Sequence, residues 1–208
     1  MGKTSLLVRY VQKTFSDSQE PTVSATYLTK KVRLVGEEGS SGIGGGGSDG
    51  RMCELNVWDT AGQERFHALG PIYYRDADAA VLVYDITDAD SFARVKSWVK
   101  ELRSIAGGDT TLCVCANKID LERARAVSTA DGEAYAKSIG ADFFSTSAKA
   151  DKGVEQAFMS VARALDTKRE NAAHAKGGRD SLTSVSGARG RSLKIAQEEA
   201  PPKGGECC

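Results

Sequence analysis

Val57-Trp58-Asp59-Thr60-Ala61-Gly62-Gln63-Glu64-Arg65-Phe66 ends an apolar strand in a carboxylate, then places a glycine and a glutamine in the loop that follows. Asp59 can hold a Mg²⁺ ion through water. Gly62 can offer its amide to a terminal phosphate without side-chain obstruction. Gln63 can orient an attacking water, the role glutamine plays in phosphoryl transfer to water. Asp, Thr and Gly also favour plain turns, so each residue alone is uninformative. As one string they predict a loop that senses a phosphate.

Two further clusters supply a nucleotide for that loop. Gly2-Lys3-Thr4-Ser5 matches the end of the pattern G-x-x-x-x-G-K-[ST], in which backbone amides wrap phosphates, the lysine reaches their oxygens and the hydroxyl binds Mg²⁺. Asn117-Lys118-Ile119-Asp120 follows the apolar run Thr111–Ala116. A carboxylate at Asp120 can accept from both N1–H and the exocyclic amine of guanine. Adenine lacks that donor pair and would leave the carboxylate unpaired, so the pattern selects guanine. Asn117 can tie loops together at the base edge, and the Lys118 methylenes can cover one ring face. Ser147-Ala148-Lys149 follows the last strand, where the Ala148 amide can meet guanine O6.

These residues need a scaffold, and the chain is long enough to provide one. At 208 residues with 40% hydrophobic and 27% charged, it suits one domain with a core and a tail. A formal net charge of zero gives no overall field for nucleic acid. There is no apolar run of about 20 residues and no signal-peptide pattern. Cys53, Cys113 and Cys115 lie in apolar runs, as small buried hydrophobes do, and five cysteines in all suit a reducing cytosolic compartment better than a disulfide framework.

Periodicity predicts a helix over Gly2–Lys13, a hairpin of strands Thr26–Val35 and Met52–Trp58, and doubly buried strands at Ala79–Tyr84 and Thr111–Ala116. Helical spacing covers Ser91–Ile105, Thr129–Ile139 (capped by Ser128 or Thr129) and Val154–Thr167, with a short strand at Asp142–Ser145. The expected architecture is an open α/β sheet, whose ligands sit at the carboxyl ends of the strands. Every cluster above falls there.

Together, Gly-Lys-Thr, Asp59-Thr-Ala-Gly-Gln, Asn117-Lys-Ile-Asp and Ser147-Ala-Lys resemble the Ras-like small GTPases. Trp58 through Phe66, Tyr73-Tyr74-Arg75 and the terminal Cys207-Cys208 look like the Rab branch. Gln63 through Asp76 and Tyr27-Leu-Thr-Lys-Lys31 are most similar to its endosomal Rab-twenty-one type, a relative of Rab five. The resemblance spans Met1 to about Lys168 and implies a P-loop NTPase G domain: a mostly parallel sheet with one antiparallel edge strand, flanked by helices. It implies GTP/GDP and Mg²⁺ as ligands, Thr22 as the switch threonine on Mg²⁺ beside Thr4 and Asp59, and Phe15 as the aromatic edge-on to guanine. Tyr27, Trp58 and Tyr73 would form the effector face, and Gln63 would be catalytic. Implied partners are an exchange factor, a GAP, effectors, a Rab escort protein and a GDP-dissociation inhibitor. The implied location is the cytoplasmic face of endosomal membranes, in exchange with cytosol.

Two stretches depart from that pattern. The family's first strand and most of its phosphate loop would precede Gly2, so the expectation is a late start or truncated gene model. The alternative is a nucleotide-independent, membrane-tethered binding fragment. The second departure, Gly36–Gly50, reads as a flexible insertion in the hairpin. Within it, Gly42, Gly44 and Gly47 match G-x-G-x-x-G by accident, because a strand rather than a helix follows. Residues 1–168 are thus expected to be the G domain and 169–208 a flexible tail. From Arg169 that tail holds seven Lys/Arg against five Asp/Glu, too balanced for an electrostatic membrane anchor. Its Cys207-Cys208 end looks like the doubly geranylgeranylated terminus of Rabs, two lipids being what stable anchoring needs.

Overall fold

The computed structural model describes residues 2–20, 22, 25–34, 50–60 and 77–177. In chain order these form α1 (Lys3–Gln12), β1 (Thr26–Leu34), β2 (Arg51–Asp59), β3 (Ala79–Asp85), α2 (Ala89–Ala106), β4 (Thr111–Asn117), a 3₁₀ segment (Ile119–Ala124), α3 (Thr129–Ser138), β5 (Asp142–Ser145) and α4 (Val154–Gly177). Each expected element is present. Gly2 and Lys13 lie just outside α1 as its caps, both in the left-handed region, with φ of 85° and 59°.

β4 explains the layering. Leu112, Val114 and Ala116 point into one apolar cluster, and Cys113 and Cys115 into another. Period-two alternation with both faces apolar forces cover on both sides of the sheet. On one face sit α2 and α3, where Phe92, Val95, Val99 and Leu102 present a helical stripe. On the other, α1 supplies Leu6, Leu7 and Tyr10, and α4 supplies Val154, Ala157, Phe158, Val161 and Ala162. Ser128 caps α3, its side chain accepting from the Asp131 amide, and Asp88 caps α2 by accepting from the Ser91 amide.

The expected α/β architecture of parallel strands with an antiparallel pair is present, divided among the described residues into two ladders. β3, β4 and β5 pair in parallel, while β1 and β2 form an antiparallel hairpin with Tyr27 opposite Trp58. Side-chain packing joins them: Val32, Leu34 and Leu55 of the hairpin share a cluster with Val83, Cys113 and Cys115. α4 also exceeds its predicted length, running past Thr167 to Gly177. Arg51 of the hairpin pairs with Asp166, at 3.2 Å, and with Glu170 of α4. The alanines at 172 and 173 favour helix as well. The rest of the tail and the glycine-rich insertion lie outside the described residues.

Candidate functional site

The carboxyl ends of β3 and β4 stand level, with Asp85 opposite Asn117, and β5 ends beside them. β2 ends at Asp59 on the hairpin. α1 begins between these groups, so its unpaired N-terminal amides and positive dipole end face the place where the strands deliver polar side chains. A cleft of about 520 Å³ opens there, within the usual range for a small-molecule site. Its walls include Gly2, Lys3, Thr4, Ser5, Phe15, Thr22, Asn117, Lys118, Asp120, Ala148 and Lys149. Asp59 and Ser147 lie behind it, both buried. Gly62, Gln63, Tyr73, Cys207 and Cys208 lie outside the described residues.

At the end of the cleft where α1 begins, three oxygens converge. The Thr4 hydroxyl donates to Asp59 Oδ2 at 2.6 Å, lies 2.6 Å from the Thr22 hydroxyl, and Thr22 donates to the same carboxylate oxygen at 3.3 Å. Neighbouring ligands of an octahedral Mg²⁺ stand about 2.9 Å apart, given metal–oxygen distances near 2.1 Å. The two hydroxyls, 2.6 Å apart, are hard donors that fit that ion, and the Asp59 carboxylate that accepts from both is placed to reach it through water. Beside them, burial lowers the pKa of Lys3, and the Asp59 charge only partly restores it. A phosphate anion would supply the missing compensation.

Gly2 closes this end. Its φ of 85° suits glycine, and a Cβ there would stand 2.8 Å from Asn117 Nδ2. The turn into α1 thereby packs directly on the last residue of β4.

At the other end, Asp120 Oδ1 accepts from the Ser147 hydroxyl at 2.5 Å, and Ser147 Oγ accepts from the Ala150 amide at 2.9 Å. A carboxylate has about four lone-pair positions, so Asp120 keeps capacity to accept from a ligand N–H. Thr146, fully buried, donates to Asn117 Oδ1 at 3.3 Å. Lys118 sits at φ 69°, an uncommon region for a side chain of its length, and its ammonium pairs with Asp85 Oδ2 at 2.7 Å. Burial pushes the Asp85 carboxyl up, yet the bonds from Lys118 and Thr87 outweigh it and leave its pKa lowered. The lysine stem is thus pinned at its far end. Phe15 is half-buried against the α1–α4 core, and the exposed pair Lys149–Asp17 joins the two loops at the cleft mouth at 3.0 Å.

Asp85, Asp17 and Arg9 were not anticipated as site residues. Asp85 ends an apolar run just as Asp59 does, and that shared position was the available signal. Arg9 carried none: its guanidinium reaches Ala148, 139 positions away. On the hairpin, Tyr27 is 43% exposed and its ring lies 5.1 Å from that of Trp58.

The Ras family profile matches residues 1–167. The Ras-related protein Rab-21 of Canis lupus familiaris is 45% identical over 210 residues, covering all of this chain and 86% of that protein. The Homo sapiens protein of the same name is also 45% identical, with the same coverage. The Dictyostelium discoideum one is 47% identical over 165 residues, 79% of this chain and 71% of its own length.

Proposed function

The chain belongs to the Ras family of small GTPases, in its Rab branch, and we propose that the cleft at the start of α1 is its guanine-nucleotide site. As a Rab it is a GTP hydrolase of membrane trafficking that binds GTP or GDP with Mg²⁺ and works with exchange factors, GAPs, effectors and a GDP-dissociation inhibitor. That family favours a working switch over a silent tethered fragment. The observation that supports the site assignment best is the meeting of Thr4, Thr22 and Asp59 within hydrogen-bond distance, next to an under-solvated Lys3.

In this reading Lys3 binds the β- and γ-phosphates, and its ammonium regains there the stabilisation that burial removes. Thr4, Thr22 and Asp59 hold Mg²⁺, which spreads charge off the transferring phosphoryl group. Thr22 engages only while the γ-phosphate is present, so the segment carrying it is ordered by GTP and released after hydrolysis. Gly62 does the same for the loop after β2, and Gln63 aligns the attacking water. Asp120, steadied by Ser147, accepts from N1–H and N2–H of guanine; Ala148 donates to O6; Phe15 and the Lys118 stem flank the ring. Tyr27, Trp58 and Tyr73 form the face that effectors read. Geranylgeranylation of both Cys207 and Cys208, delivered with a Rab escort protein, anchors the chain to the cytoplasmic face of endosomes.

Competition for the cleft in the full chain tests this. GDP is expected to outcompete ADP by a factor on the order of 10⁴, since adenine leaves Asp120 unpaired. Asp120→Asn is expected to move the preference to xanthosine diphosphate; retained guanine preference would refute the base pocket. Gln63→Leu is expected to leave GTP binding intact and slow turnover, so unchanged hydrolysis would remove Gln63 from catalysis.

A further inference from the structure

Both walls of the base pocket are loops, and loops position atoms poorly unless something rigid holds them. One wall is Phe15, reached through the left-handed turn at Lys13. The other is the turn Ser147–Lys152. Between them lies one side chain on α1. Arg9 donates through Nε to the Ala148 carbonyl at 2.7 Å, through Nη1 to the Lys13 carbonyl at 2.9 Å, and through Nη2 to the Lys149 carbonyl at 3.4 Å. Its guanidinium carbon also stands 5.8 Å from the centre of the Phe15 ring. The Arg9 carbonyl in turn accepts from the Lys13 amide at 3.1 Å. Arg9 therefore grips the turn before Phe15 from both its backbone and its side chain.

We propose that Arg9 is a positioning residue for guanine recognition, setting the Ala148 amide against O6. This rests on the guanine-nucleotide reading of the cleft. Ala148 is 3% exposed, and the peptide unit on its carbonyl side is anchored by a charged donor, the stronger kind of hydrogen bond. That bond limits the tilt of the residue whose own N–H is to meet the base. The planar fork matters as much as the charge. Arginine has five donors in fixed directions and can reach three carbonyls on two loops; a lysine ammonium is a single point. Because α1 also begins at Lys3 and Thr4, one helix sets phosphate, base edge and base face at fixed spacing.

The test measures affinity of the full chain, with Mg²⁺ present, for GDP and for 6-thioguanosine diphosphate, which keeps N1–H and the 2-amine for Asp120 but replaces O6 by a weakly accepting sulfur. Unmodified protein is expected to prefer GDP. Arg9→Met and Arg9→Lys are each expected to lose about tenfold in GDP affinity while holding the 6-thio nucleotide as before. Equal losses on both ligands would show a merely structural side chain and overturn the proposal, as would full affinity in Arg9→Lys. If Arg9→Met binds neither nucleotide, Arg9→Lys decides the matter alone. Unmodified protein that does not distinguish GDP from ADP defeats the underlying site reading instead, and the proposal falls with it.

Discussion

Tyr10 carries a hydroxyl that does no evident work. The residue is fully buried, its ring stacks on Phe158 at 4.0 Å, and Lys30 sits 3.7 Å above the ring while donating to the Tyr10 carbonyl. Among the described residues the hydroxyl has no hydrogen-bond partner, and burial, followed by the Glu155 charge, pushes its pKa up. An unsatisfied buried donor costs about 1–3 kcal/mol, whereas phenylalanine keeps the ring and both of its contacts. Tyr10→Phe is therefore expected to raise stability to urea by about 1 kcal/mol; a loss of that size would mean the hydroxyl has a partner in the folded protein. Such orphaned groups are invisible in a sequence, and so are partners far apart in it. Asp59, Asn117 and Asp120 were legible because their chemistry is local: a residue type at the end of an apolar run. Arg9 is a helical arginine like any other until folding sets the Ala148 carbonyl beside it.

Among the elements, α3 carries an anomaly that packing accounts for. Gly132 lies within it, where alanine would raise helix propensity by about 1 kcal/mol. A Cβ at 132 would stand 2.8 Å from Phe143 Cε2 and closer still to the Tyr84 hydroxyl. Overpacking a core typically costs about 1–3 kcal/mol, so the clash exceeds the propensity gain. Gly132→Ala is expected to lower the melting temperature, and a rise would show that α3 can move off the sheet without cost. Glu155 poses a different question at this scale, since it stands where α4, α1 and β1 meet. Lys13 lies 2.6 Å from its carboxylate and Lys30 3.7 Å. Burial raises the Glu155 pKa, but the Lys13 bond and the two ammonium charges outweigh it, leaving the value lowered. A carboxyl with a lowered folded pKa adds stability above its unfolded pKa, about 4.3, and that stability is lost as pH falls through the folded value. Glu155→Gln should accordingly flatten the loss of stability below about pH 4 in a series of urea titrations; an unchanged acid limb would make the cluster irrelevant to folding. Strands β3 and β4 were legible to within their last residue, because runs apolar on both faces mark strands buried on both sides; the polar Asp85 and Asn117 that close them lie past the apolar run. The far end of α4 was not, because Asp166 and Glu170 hold it through Arg51 on a different element, and no periodicity encodes that. The division into two ladders was hidden for the same reason: pairing between strands is decided by neighbours in space.

For the molecule as a whole, the site sits on the join between those ladders. Asp59 belongs to the hairpin, Asn117 to the parallel strands with Thr146 just after β5, and Thr4 to the helix between them. Among the described residues apolar packing connects the two parts and no strand ladder does. A ligand that touches Thr4, Thr22 and Asp59 at one end and Asn117 and Asp120 at the other must therefore bridge both parts. Anything that binds only the folded form stabilises it by RT ln(1 + [L]/Kd), which is about 2.7 kcal/mol at a hundredfold excess over Kd. GDP with Mg²⁺ is thus expected to raise the melting temperature by several degrees, and ADP at the same concentration to leave it unchanged. EDTA should take back much of the GDP effect, because the Thr4–Thr22–Asp59 cluster would lose the cation that joins hairpin to helix. Hydrogen exchange locates the effect: added protection should appear at both Leu55–Asp59 and Val114–Asn117. Protection confined to β4 would mean that the base binds without drawing in the hairpin, and the switch would then lack a route from phosphate to the Tyr27–Trp58 face.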